Sequence, residues 1–242
     1  MNIDVQGPKI MFKLVSEDGN ILFSLSESVV TGWLVIGIVL VVCLILTHNL
    51  KKVPETKRQC AAEYIVKTVN GLIETNMGKE FMGYAPYIAA IFAYVLLGSL
   101  ISMLGFRSIT ADISVTGTLA VMTFVLITYN KISAHGLGKY LLSLVNPMNI
   151  ISEVSTPLSM ALRLFGNIAG GMIITLILYA ALGSASGALY NALGIHATEY
   201  YFNIFQIGIP AVLSIYFDLF SGAIQSYVFI MLTMVYIRMG RD

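Results

Sequence analysis

Charge is the scarcest property of this sequence. Only 11% of its 242 residues are Asp, Glu, Lys or Arg, while 57% are hydrophobic and the mean hydropathy is +0.82. A soluble domain carries roughly 25% charged residues, so the composition excludes an ordinary soluble protein and leaves no room for a second, soluble domain. The 14 basic and 13 acidic residues almost cancel, and nothing in them suggests a nucleic-acid partner. Cysteine is equally sparse. Cys43 and Cys60 lie in different segments and indicate no disulfide framework. The first 20 residues carry Asp4, Lys9, Lys13, Glu17 and Asp18 and lack an apolar core. They do not read as a cleavable signal, so the first spanning helix is expected to direct the chain to the membrane. A phosphate-binding loop is missing too, because Gly136-Leu-Gly-Lys139 has the wrong spacing. No metal and no cofactor are expected.

What is present is a series of long apolar runs. They predict an all-α polytopic membrane protein forming a single membrane domain over residues 1–242. Residues 1–26 are polar, and Ile10–Val15 and Ile21–Leu25 flank a turn containing Gly19, which predicts a short hairpin. Residues 28–47 form an uncharged first span with Trp33 placed as an interface anchor. Residues 54–78 are too polar to span. Ala61, Ile65, Val69, Leu72 and Ile73 recur at helical spacing there, which predicts an amphipathic helix on the membrane surface. Residues 87–104 and 113–130 are the next two spans. Two much longer helices follow, over 149–182 and 198–238. At 1.5 Å per residue they measure about 51 and about 61 Å, against a hydrocarbon core of about 30 Å. They must tilt, bend or project and are expected to lie as two antiparallel helices obliquely through the membrane, with Pro210 offering one bend. The small residues Gly183-Ser-Ala-Ser-Gly187 are expected to form a flexible connection between them.

The basic residues orient this arrangement. Lys51, Lys52, Lys57, Arg58, Lys67, Lys79, Lys131, Lys139, Arg238 and Arg241 fall on one side; Lys9, Lys13 and Arg107 fall on the other. The larger group belongs in the cytoplasm, which puts the N-terminus outside and the C-terminus inside.

Two ionisable residues break the apolar pattern of the long helices. Arg163 is a fixed cation, and placing one at bilayer depth costs about 2.5–3.5 kcal/mol on insertion scales. On a helix, Ser152, Thr156, Ser159, Arg163, Asn167 and Gly170 share one face, with Leu158, Met160, Leu164 and Phe165 opposite. Gly166 and Gly170 form a small-xxx-small pair that admits a close neighbour. In the last helix Ser214, Asp218, Ser221 and Gln225 follow i, i+4, i+7, i+11. Asp218 is the only carboxylate between Glu199 and Asp242. A carboxyl in such a setting is suited to binding and releasing protons, and Gln225 can both donate and accept. The bland alternative is an Asp218–Arg163 bridge that merely ties two helices. The polar stripes running on past both charges favour a wet path for ions.

Arg163-Leu-Phe-Gly-Asn167, preceded by Pro157-Leu-Ser159, resembles the signature of subunit a of F-type ATP synthases. The run from Ile224-Gln225 to Tyr236 and the segment Thr110-Ala-Asp112 with Val115-Thr116 are similar to that family as well. The resemblance covers about residues 28–240. It implies a non-catalytic stator subunit that faces a rotating ring of proteolipid c subunits in a bacterial cell membrane and is held by membrane-anchored b-type stalk subunits. Two aqueous half-channels would pass protons, or Na⁺, to and from the ring carboxylates. Arg163 would separate the half-channels and Gln225 would be its neighbour. Asp218 would relay protons in the outer half-channel, with Asp112 near its mouth and Glu199 assisting at the surface. Ser152, Ser155, Thr156, Ser159 and Asn167 would line the inner half-channel. The chain departs from many relatives at Met172, where they carry an ionisable residue. A proton-coupled transporter working alone with an Arg/Asp pair is the competing class. It predicts inverted repeats, and none is evident in the sequence. A purely structural scaffold, with the charges as internal glue, is the third reading.

Overall fold

The computed structural model describes residues 10–15, 21–48, 51, 56–104, 106, 108–143, 145–192, 212 and 215–241. For residues 10–15 and 21–25, and for Ser143, Asn191, Phe217 and Asp218, the description is of the backbone alone. Two antiparallel strands, β1 (Ile10–Val15) and β2 (Ile21–Ser26), form the expected hairpin. The turn with Gly19 lies outside the described residues.

The chain then enters α1 (Glu27–Thr47), whose only charge is Glu27 in the first turn, where the helix dipole favours an anion. Ser28, Thr31, Gly32 and Val35 form its one buried stripe, and α1 packs with it on α3. Leu34, Ile38, Val41 and Ile45 are exposed, as lipid contact requires. Helix α2 (Lys57–Asn76) is the polar, amphipathic one, and residues 52–55 before it lie outside the described residues. A 3₁₀ segment, Lys79–Tyr84, leads into α3 (Ala85–Leu100). After it come α4 (Ile113–His135), the short α5 (Leu137–Ser143), α6 (Pro147–Ala192), a π-helical segment Ile215–Ser221, and α7 (Gly222–Met239). Five of the described helices are long and apolar enough to cross a membrane.

The core lies where α3, α4, α6 and α7 meet the end of α2. Ile88 and Val95 from α3, Ile127 from α4, Leu164 from α6, Phe229 and Met234 from α7, and Ile73 from α2 are almost fully buried there. One contact fixes how closely α7 approaches α3. A Cβ built on Gly222 would stand 2.9 Å from the Ser99 Cβ, so only glycine fits at this crossing. At the far end of α7, the Arg238 guanidinium donates to the Asn76 carbonyl at 3.1 Å, and Arg241 pairs with Glu80 at 3.4 Å. These bonds tie the C-terminal end of the bundle to the end of the surface helix.

Several boundaries differ from the sequence reading. The span expected over 87–104 is α3 flanked by 3₁₀ turns, Lys79–Tyr84 before it and Ile101–Leu104 after it. Helix α4 runs on to His135, and the glycine-containing loop after it folds as α5. The largest change is in α6, a 46-residue helix that begins at Pro147 and continues through the segment expected to be flexible. Ser184 donates to the Ala180 carbonyl at 3.1 Å and Ser186 to the Leu182 carbonyl at 2.9 Å. Both serines return their hydroxyls to carbonyls four residues earlier, so the stretch satisfies its polar side chains within the helix and Gly and Ser do not end it here. At about 69 Å, α6 is more than twice the hydrocarbon thickness. The expected helix 198–238 lies largely outside the described residues up to 211, Pro210 included. Its described part is not α-helical throughout, because residues 215–221 are π-helical.

Candidate functional site

Helix α6 is buried along Met160, Ala161, Leu164 and Ile168, which face α4 and α7. Arg163 lies on the other side of the helix and is exposed, together with Leu162 and Gly166. Arg163 therefore lies on the exposed face of α6 and not on its buried one. Among the described residues it has no carboxylate partner. A Cβ added at Gly166 or Gly170 would meet nothing within 4 Å. The small-residue surface beside the arginine is thus unoccupied by the described residues of this chain.

Arg163, Asn167, Tyr216, Phe220, Ser221, Ile224 and Gln225 line one open cavity of about 440 Å³. Helix α6 supplies the first two, and the π-helical segment with the start of α7 supplies the rest. The two walls are joined by a reciprocal pair. The Ser221 hydroxyl donates to Asn167 Oδ1 at 2.8 Å, and Asn167 Nδ2 reaches the Ser221 carbonyl at 3.4 Å. Tyr216 and Phe220 stack with ring centroids 5.8 Å apart. The π segment matters for register. The wider turn carries Ser221 to Asn167, while Gly222 is held against Ser99. Such segments often mark functional sites in helices.

Of the residues singled out in the sequence, Arg163, Asn167 and Gln225 are brought together at this cavity. Asp218 has its backbone in the π segment between Tyr216 and Phe220, and its side chain lies outside the description. Glu199 lies outside the described residues. Ser159 is exposed, about one turn before Arg163 on α6. Asp112 sits apart, at the start of α4. It is buried, accepts from the Ser114 amide at 3.0 Å, and so caps the helix. Ser108 and Thr110 beside it share a hydroxyl–hydroxyl bond of 3.0 Å. Met172 is half-buried.

A second cavity, of about 380 Å³, opens at the end of the bundle that carries the basic residues. Lys131 and His135 of α4, Lys139 and Tyr140 of α5, Asn149, Ser152, Glu153 and Thr156 of α6, and Tyr236 and Gly240 at the end of α7 surround it. Thr156 donates to the Ser152 carbonyl at 2.9 Å, and Lys131 and Glu153 form an ion pair across the two helices. The sequence reading named Ser152 and Thr156 but missed Glu153, Lys131, Tyr216 and Phe220. Glu153 carried a signal, as an acid in an otherwise uncharged stretch ten residues before Arg163. Its partner lies 22 residues away on another helix and is not visible by periodicity.

Five described helices long and apolar enough to cross a membrane, with a permanently cationic side chain on the exposed face of the longest, define a multi-pass membrane protein. Comparison with known proteins makes this specific. A family profile described as ATP synthase A chain matches residues 29–238. The chain is 31% identical to "ATP synthase subunit a, sodium ion specific" of Propionigenium modestum, an alignment covering 97% of this chain and 85% of the relative. It is 31% identical to ATP synthase subunit a of Staphylococcus carnosus, covering 82% and 83%, and 34% identical to that of Anoxybacillus flavithermus, covering 82% and 84%. The chain belongs to the ATP synthase subunit a family, the ion-channel stator of the enzyme's membrane sector.

Proposed function

We propose that this subunit passes protons through two half-channels to and from the carboxylates of a rotating c-ring, with Arg163 keeping the two paths apart. The observation that carries the reading is the placement of Arg163. A fixed charge on an exposed helix face, with no carboxylate partner among the described residues, calls for an ionisable partner, and Gly166 and Gly170, with no described neighbour within 4 Å, leave room for a close helix. A ring helix bearing one carboxylate meets both needs. Its protonated acid travels through lipid, and its ionised acid is tolerated only opposite the guanidinium.

In this mechanism Arg163 attracts each arriving carboxylate in its ionised form and blocks direct leakage between the half-channels. Gln225 stands across the same cavity and holds water or the guanidinium in place. Asn167 and Ser221 fix the spacing of the two helices. Asp218 relays protons on the outer path, with Asp112 near its mouth and Glu199 assisting at the surface. Ser152, Ser155, Thr156 and Ser159 lead from the basic-end cavity towards Arg163. That basic end faces the cytoplasm of a bacterial cell, and b-type stalk subunits hold the chain against the turning ring. The cargo is H⁺. Na⁺ is the alternative, as the printed name of the Propionigenium relative states for that protein. Nucleotide chemistry belongs to other subunits. One charge crossing 100 mV is worth about 2.3 kcal/mol, so several must pass for each ATP made.

The test is Arg163→Ala in the complete complex reconstituted in vesicles. Assembly is expected to persist and coupled synthesis to vanish. Synthesis at the normal rate from an assembled Arg163→Ala complex would refute the proposal.

A further inference from the structure

The cavity at the basic end holds one carboxylate, Glu153, among several cationic or titratable neighbours. Lys131 and His135 approach from α4, Lys139 and Tyr140 from α5, and Tyr236 from α7. Only 14% of the Glu153 side chain is exposed, and 32% of Lys131. The ion pair joins α4 to α6 at the cavity wall, with the carboxylate the more buried partner. The lysine stem is seated as well as its head. A Cβ built on Gly240 would stand 3.2 Å from Lys131 Cγ, so the bare glycine at the end of α7 makes the space in which the stem lies. Pro157, one turn on from Glu153, has no N–H and leaves the Glu153 carbonyl without its usual helical donor. Glu153 stands at the cavity wall, about 15 Å of helix from Arg163. Thr156 and Ser159 lie on α6 between them.

We infer that Glu153 is the inner terminus of the proton path, receiving protons that come down α6 from the Arg163 site and releasing them to the cavity, with Lys131 as the positioning residue that holds the carboxylate at the cavity wall. This rests on the half-channel reading above. A proton arriving along Thr156 and Ser159 protonates the carboxylate and breaks its attraction for Lys131. The flexible lysine stem then swings free, the proton leaves to the water-filled cavity, and the pair closes again. The cavity's other titratable groups, His135, Lys139 and the two tyrosines, lie at the receiving end and not on the α6 stripe.

The experiment uses whole complexes in vesicles and reads both ATP synthesis under an imposed proton gradient and ATP-driven pumping. Glu153→Gln is expected to assemble normally and to lower synthesis on the order of tenfold. Lys131→Met is expected to slow synthesis, and Lys131→Arg to restore it, because Arg keeps the charge. The exchanged pair, Lys131→Glu with Glu153→Lys, separates transport from mere bracing. It restores the tie between α4 and α6 but puts no carboxylate on α6, so the complex is expected to assemble as the parent does while synthesis stays low. Synthesis within twofold of the parent in Glu153→Gln, full recovery in the exchanged pair, or equal defects in the Met and Arg variants of Lys131 would each overturn the inference. Arg163→Ala in the same vesicles distinguishes the two ideas. If it too makes ATP normally, the half-channel reading has failed. If it does not, only the role given to Glu153 and Lys131 is lost.

Discussion

The crossing of α3 and α7 at Ser99 and Gly222 offers a sharp test, because its geometry sets the Arg163 cavity without touching it. Replacing Gly222 by Ala places a methyl group 2.9 Å from the Ser99 Cβ, well inside van der Waals contact. Neither atom sits at the end of a flexible side chain. Helix α7 must move outward, and overpacking of this kind costs about 1–3 kcal/mol. The displacement also acts on the next residue back. Ser221 bonds Asn167 at 2.8 Å, and a shift of even half an ångström stretches that bond past good geometry. Gly222→Ala should therefore lower the stability of the detergent-solubilised complex to heat and reduce coupled synthesis severalfold. The compensating change is Ser99→Gly, which removes the atom that the methyl group strikes. In the double variant most of the stability should return, so the two effects should be far from additive. The reasoning is refuted if Gly222→Ala alone is as stable and active as the parent, or if Ser99→Gly makes no difference to it.

Further predictions concern single sites. Asn167→Leu keeps the bulk but removes both bonds to Ser221. It should destabilise the pair of helices by about 0.6–1.7 kcal/mol, the range for such bonds in membranes, and lower synthesis while leaving assembly intact; loss measured by heat inactivation checks it. Asp112→Asn keeps an oxygen to cap α4, whereas Asp112→Ala does not. The Ala variant should lose about 1 kcal/mol of stability and the Asn variant little, so a slowed proton flux in Asn alone would isolate a role for the charge. Asp218→Asn should slow proton entry sharply, and an unchanged flux would move the relay to another residue. Cys60 is exposed on α2, and with Cys43 replaced by Ser a membrane-impermeant maleimide should reach it only from the cytoplasmic side. Labelling from outside would reverse the orientation.

Much of this protein was legible before its fold. Long uncharged runs leave the backbone no choice but helix in a bilayer, so the spans could be placed from composition and length. The face shared by Arg163 and Asn167 followed from helical periodicity, and a cation at that depth is conspicuous by its cost. Local signals failed where the surroundings outvoted them. Gly183 to Gly187 look like a linker, but α6 runs through them, with Ser184 and Ser186 bonding back to carbonyls one turn earlier. The last helix was read at one uniform period, yet its π turn depends on Asn167 gripping Ser221 while Gly222 lies on Ser99. Only the tertiary structure could join Lys131 to Glu153 and gather Tyr216 and Phe220 with Arg163 around one cavity. Periodicity assigns a residue to a face of its own helix, and the packing of one helix on another decides what that face meets.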